Sequence, residues 1–259
     1  MNRMMLTAAA ALGSLVVPIR AQAPPTGFLD RTVQMAGVVH RYQVYVPATY
    51  DPAARWPVML FLHGAGERGT DGLLQTEVGL GSAIRRFPSR YPAIVVFPQA
   101  PLESTWTGPS AGVAMAALEK TLHEFSVDRD RVYLTGLSMG GHGAWHLAYT
   151  YPDQFAAVLV ICGFITGGDQ FPSFLPADAA DPAAVLAGRV KRLPIWVYHG
   201  DADTVVPVTA AREIVEALCA ANADVQYTEL PKVGHNAWDA AYRSPDVAAW
   251  LFKQRRSGR

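Results

Sequence analysis

The reading of the fold turns on Arg131-Val132-Tyr133-Leu134-Thr135-Gly136-Leu137-Ser138-Met139-Gly140-Gly141. Arg131 to Thr135 is a short apolar run that predicts a strand, and Gly136 closes it. Met139 to Tyr149 then predicts a helix whose first turns are built from small residues (Gly140, Gly141, Gly143, Ala144). A strand that passes through Gly-x-Ser-x-Gly into a helix must turn sharply, with the serine at the apex. Glycines two before and two after it leave room for the backbone to close on itself. The five-residue pattern alone is common; this strand-turn-helix context gives it weight.

Working outward, Arg41 to Val46 alternates polar and apolar and predicts an early, half-exposed strand. Val58 to Leu62, Ala93 to Phe97 (stopped by Pro98), Ala156 to Cys162, Pro194 to Tyr198 and Val225 to Leu230 complete the strand set. Continuous apolar strands are buried on both faces, as in a mainly parallel sheet. Helical spacing appears in Ala111 to Phe125, Val208 to Ala221 and Asp246 to Gln254. Strand and helix alternate, which predicts one α/β domain over 24–259: a mostly parallel central sheet with helices on both faces. The stretch Gly163 to Leu193, rich in Gly and Pro, breaks the rhythm. It reads either as a small cap or loop excursion over the carboxyl edge of the sheet, or as a crossover with one ordinary helix near Asp181 to Val190.

Half of the 259 residues are hydrophobic, 17% are charged, and 22 basic residues balance 22 acidic ones. No basic patch or acidic tail stands out, so nothing points to nucleic acid as a partner. The chain starts with Asn2 and Arg3, continues with the small and apolar run Met4 to Val17, and offers Ala21-Gln22-Ala23. That layout predicts a secretory signal peptide over 1–23. The run falls short of the roughly 20 apolar residues of a spanning helix, and no later stretch is longer. The expected mature protein is secreted or periplasmic, soluble and mildly acidic. Export would permit a disulfide, yet Cys162 ends a buried-type strand and Cys219 lies in a helical segment. Both read as buried thiols. No Cys/His cluster predicts a metal site.

A serine hydroxyl becomes a useful nucleophile only when a base takes its proton, and the base needs an acid to orient it. His199-Gly200-Asp201-Ala202-Asp203 follows the strand ending at Tyr198, and Gly234-His235 follows the strand ending at Leu230. Both segments leave the carboxyl edge, as Ser138 does. Of the seven histidines, His235 alone follows an acid in the order this constellation needs. His63 and His199 precede glycines at strand ends and read as loop-forming; His142 and His146 read as structural or pocket-lining. The acid is Asp201 or Asp203. The developing oxyanion needs two backbone N–H groups. Met139 supplies one; Ala65, in the glycine-rich loop His63-Gly64-Ala65-Gly66-Glu67-Arg68-Gly69, supplies the other.

Together, Phe61 to Gly69, Gly136 to Gly141, His199 to Asp203 with Val206-Pro207, and Gly234-His235-Asn236-Ala237-Trp238 resemble the dienelactone-hydrolase and phospholipase/carboxylesterase branch of the α/β-hydrolases. They look most like its exported bacterial esterases. The resemblance spans positions 61 to 238. It implies Asp203 as the acid, since the family's aspartate stands three residues before Val-Pro, and it implies Ala65 and Met139 at the oxyanion. The dienelactone hydrolases carry a cysteine nucleophile where this chain has Ser138. The resemblance thus implies ester cleavage through an acyl-enzyme, without cofactor or metal, on a small-molecule or polymer-linked ester. A serine peptidase of the prolyl-oligopeptidase kind, an esterase directed at polyhydroxyalkanoate or at feruloylated or acetylated polysaccharide, and a non-catalytic binding protein are the alternatives. Trp106 and Trp238 are either substrate-pocket walls or core aromatics.

Overall fold

The computed structural model of the chain describes residues 24–256. The expected signal peptide, 1–23, lies outside the described residues. In chain order the elements are β1 (Gly27–Met35), β2 (Val38–Val46), β3 (Trp56–Leu62), α1 (Leu80–Arg86), β4 (Ile94–Pro98), α2 (Pro109–Glu124), β5 (Val127–Leu137), α3 (Met139–Thr150), β6 (Ala157–Ile161), α4 (Pro182–Val190), β7 (Ile195–Gly200), α5 (Thr209–Ala220), β8 (Val225–Leu230), α6 (Trp238–Arg243) and α7 (Pro245–Lys253). The eight strands form one sheet in the order β1-β2-β4-β3-β5-β6-β7-β8. β1 and β2 run antiparallel to their neighbours; every pairing from β4 to β8 is parallel.

Parallel strands need covering on both faces, and β3 shows how the sequence arranges it. Successive side chains of a strand point to opposite faces. Val58, Leu60 and Leu62 therefore join one core, packed with Ala114, Leu118, Trp145, Leu186 and Ile214 of α2 to α5. Met59 and Phe61 join the other, under Ile84, Tyr242, Val247 and Leu251 of α1, α6 and α7. This is a single α/β-hydrolase domain. Among the described residues, no helix is long and apolar enough to cross a membrane.

Three local features differ from expectation. Residues 42–46 are buried rather than half-exposed, because β2 lies between β1 and β4. β1 joins β2 through a two-residue turn with Ala36 and Gly37 both at positive φ, the geometry of a tight hairpin. α1 and α6 have seven and six residues, under two turns, too short for a 3.6-residue period to show. The stretch after β6 is a loop from 163 to 181 followed by α4, which stands where one of the two readings put a helix, near Asp181 to Val190; it is capped where Asp181 accepts the Ala184 N–H at 3.0 Å.

Candidate active site

Ser138 is the N-cap of α3 and takes φ 53, ψ −119, a region L-residues rarely enter. The turn is forced by close packing. A Cβ on Gly140 would stand 1.9 Å from the Leu62 carbonyl oxygen, and one on Gly136 would stand 2.0 Å from the Gly140 oxygen. Only bare glycine backbone lets α3 start this close to β3. The Ser138 N–H donates to the Ile161 carbonyl at 2.9 Å, and its own carbonyl accepts from His142 N at 3.0 Å. The apex is thus pinned between β6 and its own helix.

The three loops that leave β5, β7 and β8 meet. Ser138 Oγ lies 2.8 Å from His235 Nε2, and His235 Nδ1 lies 2.7 Å from Asp203 Oδ2. The carboxylate can only accept, so Nδ1 carries the hydrogen and Nε2 faces the hydroxyl. Asp203 is buried, and its other oxygen, Oδ1, accepts the N–H groups of Val205 and Val206, each at 2.9 Å. Burial pushes its carboxyl pKa up, but the hydrogen bonds from His235, Val206 and Val205 outweigh that and leave it below the usual value. Asp201, the alternative acid, is exposed. It accepts Lys232 N at 2.6 Å, and the Ala202 N–H donates to Val233 O at 3.0 Å. Asp201 therefore ties the acid loop to the His235 loop.

The glycine-rich loop stands on the other side of the serine. A Cβ on Gly64 would stand 3.7 Å from Ser138 Cβ. Ala65 opens a short 3-10 turn, Ala65–Glu67, and Met139 opens α3. First-turn N–H groups have no partner within their own helix, so neither N–H is claimed by the turn it opens. His63 anchors this loop: Nδ1–H donates to Gly64 O at 2.6 Å and Nε2 accepts Ala100 N at 3.0 Å. Burial drives its pKa down to about 4, so it stays neutral. Burial also raises the Glu67 carboxyl, against the opposing hydrogen bond from the Gly64 N–H.

Trp106 does not face this site. It is fully buried, with its indole N–H donated to His63 O at 2.9 Å and its ring edge-on to His63. It supports the loop from beneath and offers no face to a substrate. Trp238 is half-buried and stands edge-on to the His235 ring, centroids 5.2 Å apart. His142 is buried under the 163–181 loop. It stacks on Phe164 at 4.9 Å and its Nδ1 lies 3.1 Å from Phe164 O; burial lowers its pKa to about 4.

The expectation of two buried thiols needs one correction. Both are free, but Cys219 is exposed, and only Cys162 is buried. α5 turns Ile214 and Leu218 inward, and Cys219, one residue on, turns out. Cys162 sits at φ 49 with Sγ 3.3 Å from His235 O. Burial, with the adjacent Asp203 charge, pushes its pKa up. Cys162, His199 and Asp203 bring three donor atoms of metal-ligand type within 4.8 Å of one another. Each of the three is engaged outside the trio: the Asp203 oxygens by the N–H groups of Val205, Val206 and His235, His199 Nε2 by Val206 O and the Cys162 thiol by His235 O. Sequence reasoning misses His63 and His199 as parts of the site. The available signal is their place at the end of apolar strands, where a buried polar ring must find partners.

The family described as "Putative esterase" matches residues 37–239 of the chain. An uncharacterized secreted protein of Arthroderma benhamiae is 24% identical over 248 residues, 86% of this chain and 26% of that protein. Acetylxylan esterase A of Talaromyces purpureogenus is 24% identical over 155 residues, 48% of this chain and 40% of that enzyme. The chain thus spans well under half the length of either. The crystal structure of a thermostable esterase matches with a TM-score of 0.75 at 33% identity, covering 88% of this chain and 63% of that one.

Proposed function

The chain belongs to the Esterase family, and on that premise we propose that it is a serine esterase that cleaves carboxylic esters through an acyl-enzyme, with Ser138, His235 and Asp203 as its triad. The observation that carries the reading is the unbroken chain of contacts Ser138 Oγ to His235 Nε2 at 2.8 Å and His235 Nδ1 to Asp203 Oδ2 at 2.7 Å. His235 takes the hydroxyl proton as Ser138 attacks the ester carbonyl. Asp203 holds the imidazole in the correct tautomer and stabilises its protonated form. The N–H groups of Ala65 and Met139 receive the oxyanion, a contribution of roughly 100- to 1000-fold per donor. His235 then protonates the leaving alcohol, and water, deprotonated by the same ring, releases the acid. Every step is proton transfer and acyl transfer, so the reading asks for no cofactor.

Trp238, beside His235, is proposed as a wall of the substrate site. A polymer-linked ester is the second reading, supported by the likeness to an acetylxylan esterase. Residues 1–23 are proposed as an export leader ahead of a hydrolase domain over 24–259, in keeping with the charged start, apolar run and Ala21-Gln22-Ala23 and with the likeness to a secreted protein.

The test is turnover of p-nitrophenyl acetate and longer acyl esters, beside acetylated xylan, by the protein and its Ser138→Ala variant. The variant should lose about 10^4- to 10^6-fold in kcat. Folded Ser138→Ala protein retaining a tenth of wild-type turnover would remove Ser138 as nucleophile.

A further inference from the structure

We infer that Gln99 is a positioning residue for the oxyanion loop: its buried side-chain amide ties the far end of the 63–72 loop to the end of β4 and so sets where the Ala65 N–H stands. The inference deepens the esterase reading and rests on Ala65 being an oxyanion donor.

Gln99 directly follows β4 and is buried. Its Oε1 accepts the Gly72 N–H at 2.7 Å. Its Nε2 donates to the Glu67 carbonyl at 3.2 Å and to Asp71 Oδ1 at 3.1 Å. A backbone N–H only donates, and a carbonyl and a carboxylate only accept, so these partners fix which end of the amide is oxygen and which is nitrogen. A buried amide is costly unless it is hydrogen-bonded, and an apolar side chain would fill the same space without that demand. What the amide adds is a hold on the loop.

Adjacent residues at the end of β4 share that hold. Ala100 fixes the root and the return of the loop: its N–H donates to His63 Nε2 at 3.0 Å and its carbonyl accepts the Gly69 N–H at 2.9 Å. His63 in turn holds Gly64 O, just before the Ala65–Glu67 turn. Gln99 holds Glu67 O, at the last residue of that turn, and Gly72 beyond it. Ala65 therefore stands between two anchored points. Gly72 is held on its other side as well, where its carbonyl accepts from Nε2 of the buried Gln43 on β2 at 2.9 Å. Gly69 makes room for the arrangement, since a Cβ there would stand 2.9 Å from Gln99 Nε2. An oxyanion donor works only at the correct distance from the developing charge, and a displacement of about 1 Å can cost about 100-fold in rate. Releasing Glu67 O and Gly72 N–H leaves the turn anchored at its opening alone.

Gln99→Met keeps the length and bulk of the side chain and removes the hydrogen bonds of the amide. It should lower kcat for p-nitrophenyl acetate about 10- to 100-fold with KM little changed, as for an interaction made only in the transition state. Ala65→Pro removes the N–H itself. Ala65 opens its turn, and Gly64 before it is extended at φ −77, ψ −177, so a proline fits there. That variant should lose about 100- to 1000-fold. The two should not add: with Ala65→Pro in place, Gln99→Met should cost little more, because its effect runs through the same N–H. An equal loss from Gln99→Met in both backgrounds would place its action elsewhere and overturn the inference. So would a Gln99→Met variant that melts earlier but keeps the wild-type kcat. Amide exchange on the unaltered protein needs no variant: the Gly72 N–H and the Gln99 side-chain amide should exchange slowly with deuterium, and fast exchange of both overturns the inference without touching the triad. An Ala65→Pro variant with wild-type kcat would instead bring down the oxyanion reading, and this inference with it, so the two failures are separable.

Discussion

The two edges of one sheet are held by different chemistry. At the carboxyl edge the groups that brace the site are buried aromatic and imidazole rings held by hydrogen bonds to backbone. His63 spans Gly64 and Ala100, Trp106 braces His63, and His142 meets Phe164 O. The backbone there enters the left-handed half of conformational space at Ser138 and Cys162, the ends of adjacent strands. At the amino edge the groups are charged and exposed or half-buried. Asp128 sits between Arg131 at 2.8 Å and Arg255 at 2.9 Å, and Arg256 reaches Asp130 at 3.0 Å. Strain of a few kcal/mol persists only where surrounding packing over-determines it. Buried hydrogen bonds between fixed groups provide that, whereas exposed ion pairs, each worth about 0–1 kcal/mol, do not. The site sits where the fold is closely packed, and the surface ion pairs collect where nothing has to be placed accurately.

The hardest test of this contrast is one substitution made twice. In Gly140→Ala the new methyl meets the Leu62 carbonyl at 1.9 Å and the His63 carbonyl at 2.7 Å. Both are backbone, so α3 must lift from β3. The expected outcome is a loss above about 3 kcal/mol in urea unfolding and of esterase turnover. Gly188, exposed on α4, has nothing within 4 Å of where a Cβ would stand, and Gly188→Ala should stabilise by about 0.5–1 kcal/mol. Similar effects from the two would mean that α3 is not locked against the sheet.

The same contrast explains how much of the molecule is legible in its sequence. The parallel core is legible because Val58 to Leu62, Ala156 to Cys162 and the other continuous runs have no polar face to offer. The elbow is legible because Gly136 and Gly140 exist to avoid a backbone clash, which leaves a fixed spacing. β1 escapes, since an edge hairpin strand of mixed burial has only alternation to show, and here Asp30, Arg31 and Thr32 blur it. His199 reads as a loop residue because of its neighbour Gly200. Its hydrogen-bond partner, the Val206 carbonyl at 2.9 Å, lies beyond a turn, and no periodicity reports a contact made by the shape of a turn. Trp106 stays open for a like reason: a tryptophan in a loop has the same letters whether it lines a pocket or supports one.

Acid should reveal the two edges in sequence. His63 and His142 are both held down to about 4 from an ordinary 6.5, chiefly by burial. The unfolded chain takes up these protons near 6.5 and the native protein only near 4. Between those values the unfolded state binds more protons, so stability falls as pH drops through that window. At about 1.4 kcal/mol per pH unit of displacement, the loss is of order 3 kcal/mol per histidine. At the amino edge burial raises the Asp128 carboxyl, but the hydrogen bond from Arg131 and the charge of Arg255 outweigh it and hold it below 3.8. Its contribution is present above 3.8 and goes only as pH falls below that. Urea midpoints between pH 7 and pH 4.5 should therefore report the carboxyl edge alone. His142→Asn, which removes the titrating ring and keeps a donor for Phe164 O, should flatten that slope, and an unchanged slope would clear His142 of the effect.

The smallest expected effect probes the other edge. Arg255 and Arg256 close the described chain against Asp128 and Asp130, while Tyr133 Oη also donates to Gln254 O at 3.0 Å and the Arg256 N–H to Asp130 O at 2.8 Å. Those uncharged bonds survive replacement of both arginines by alanine. The double variant loses two partly exposed pairs and the Arg256 bond to the Asp153 carbonyl, together about 1 kcal/mol at low ionic strength. In molar salt, where the screening length shrinks to about 3 Å, the difference between the variant and the parent should nearly close. Turnover should not move at either salt concentration. The tail touches the start of β5 and Ser138 follows its end, with the buried core of the strand between them. A fall in kcat in the double variant would show that the edges communicate along β5, and would overturn the division on which the other two comparisons depend.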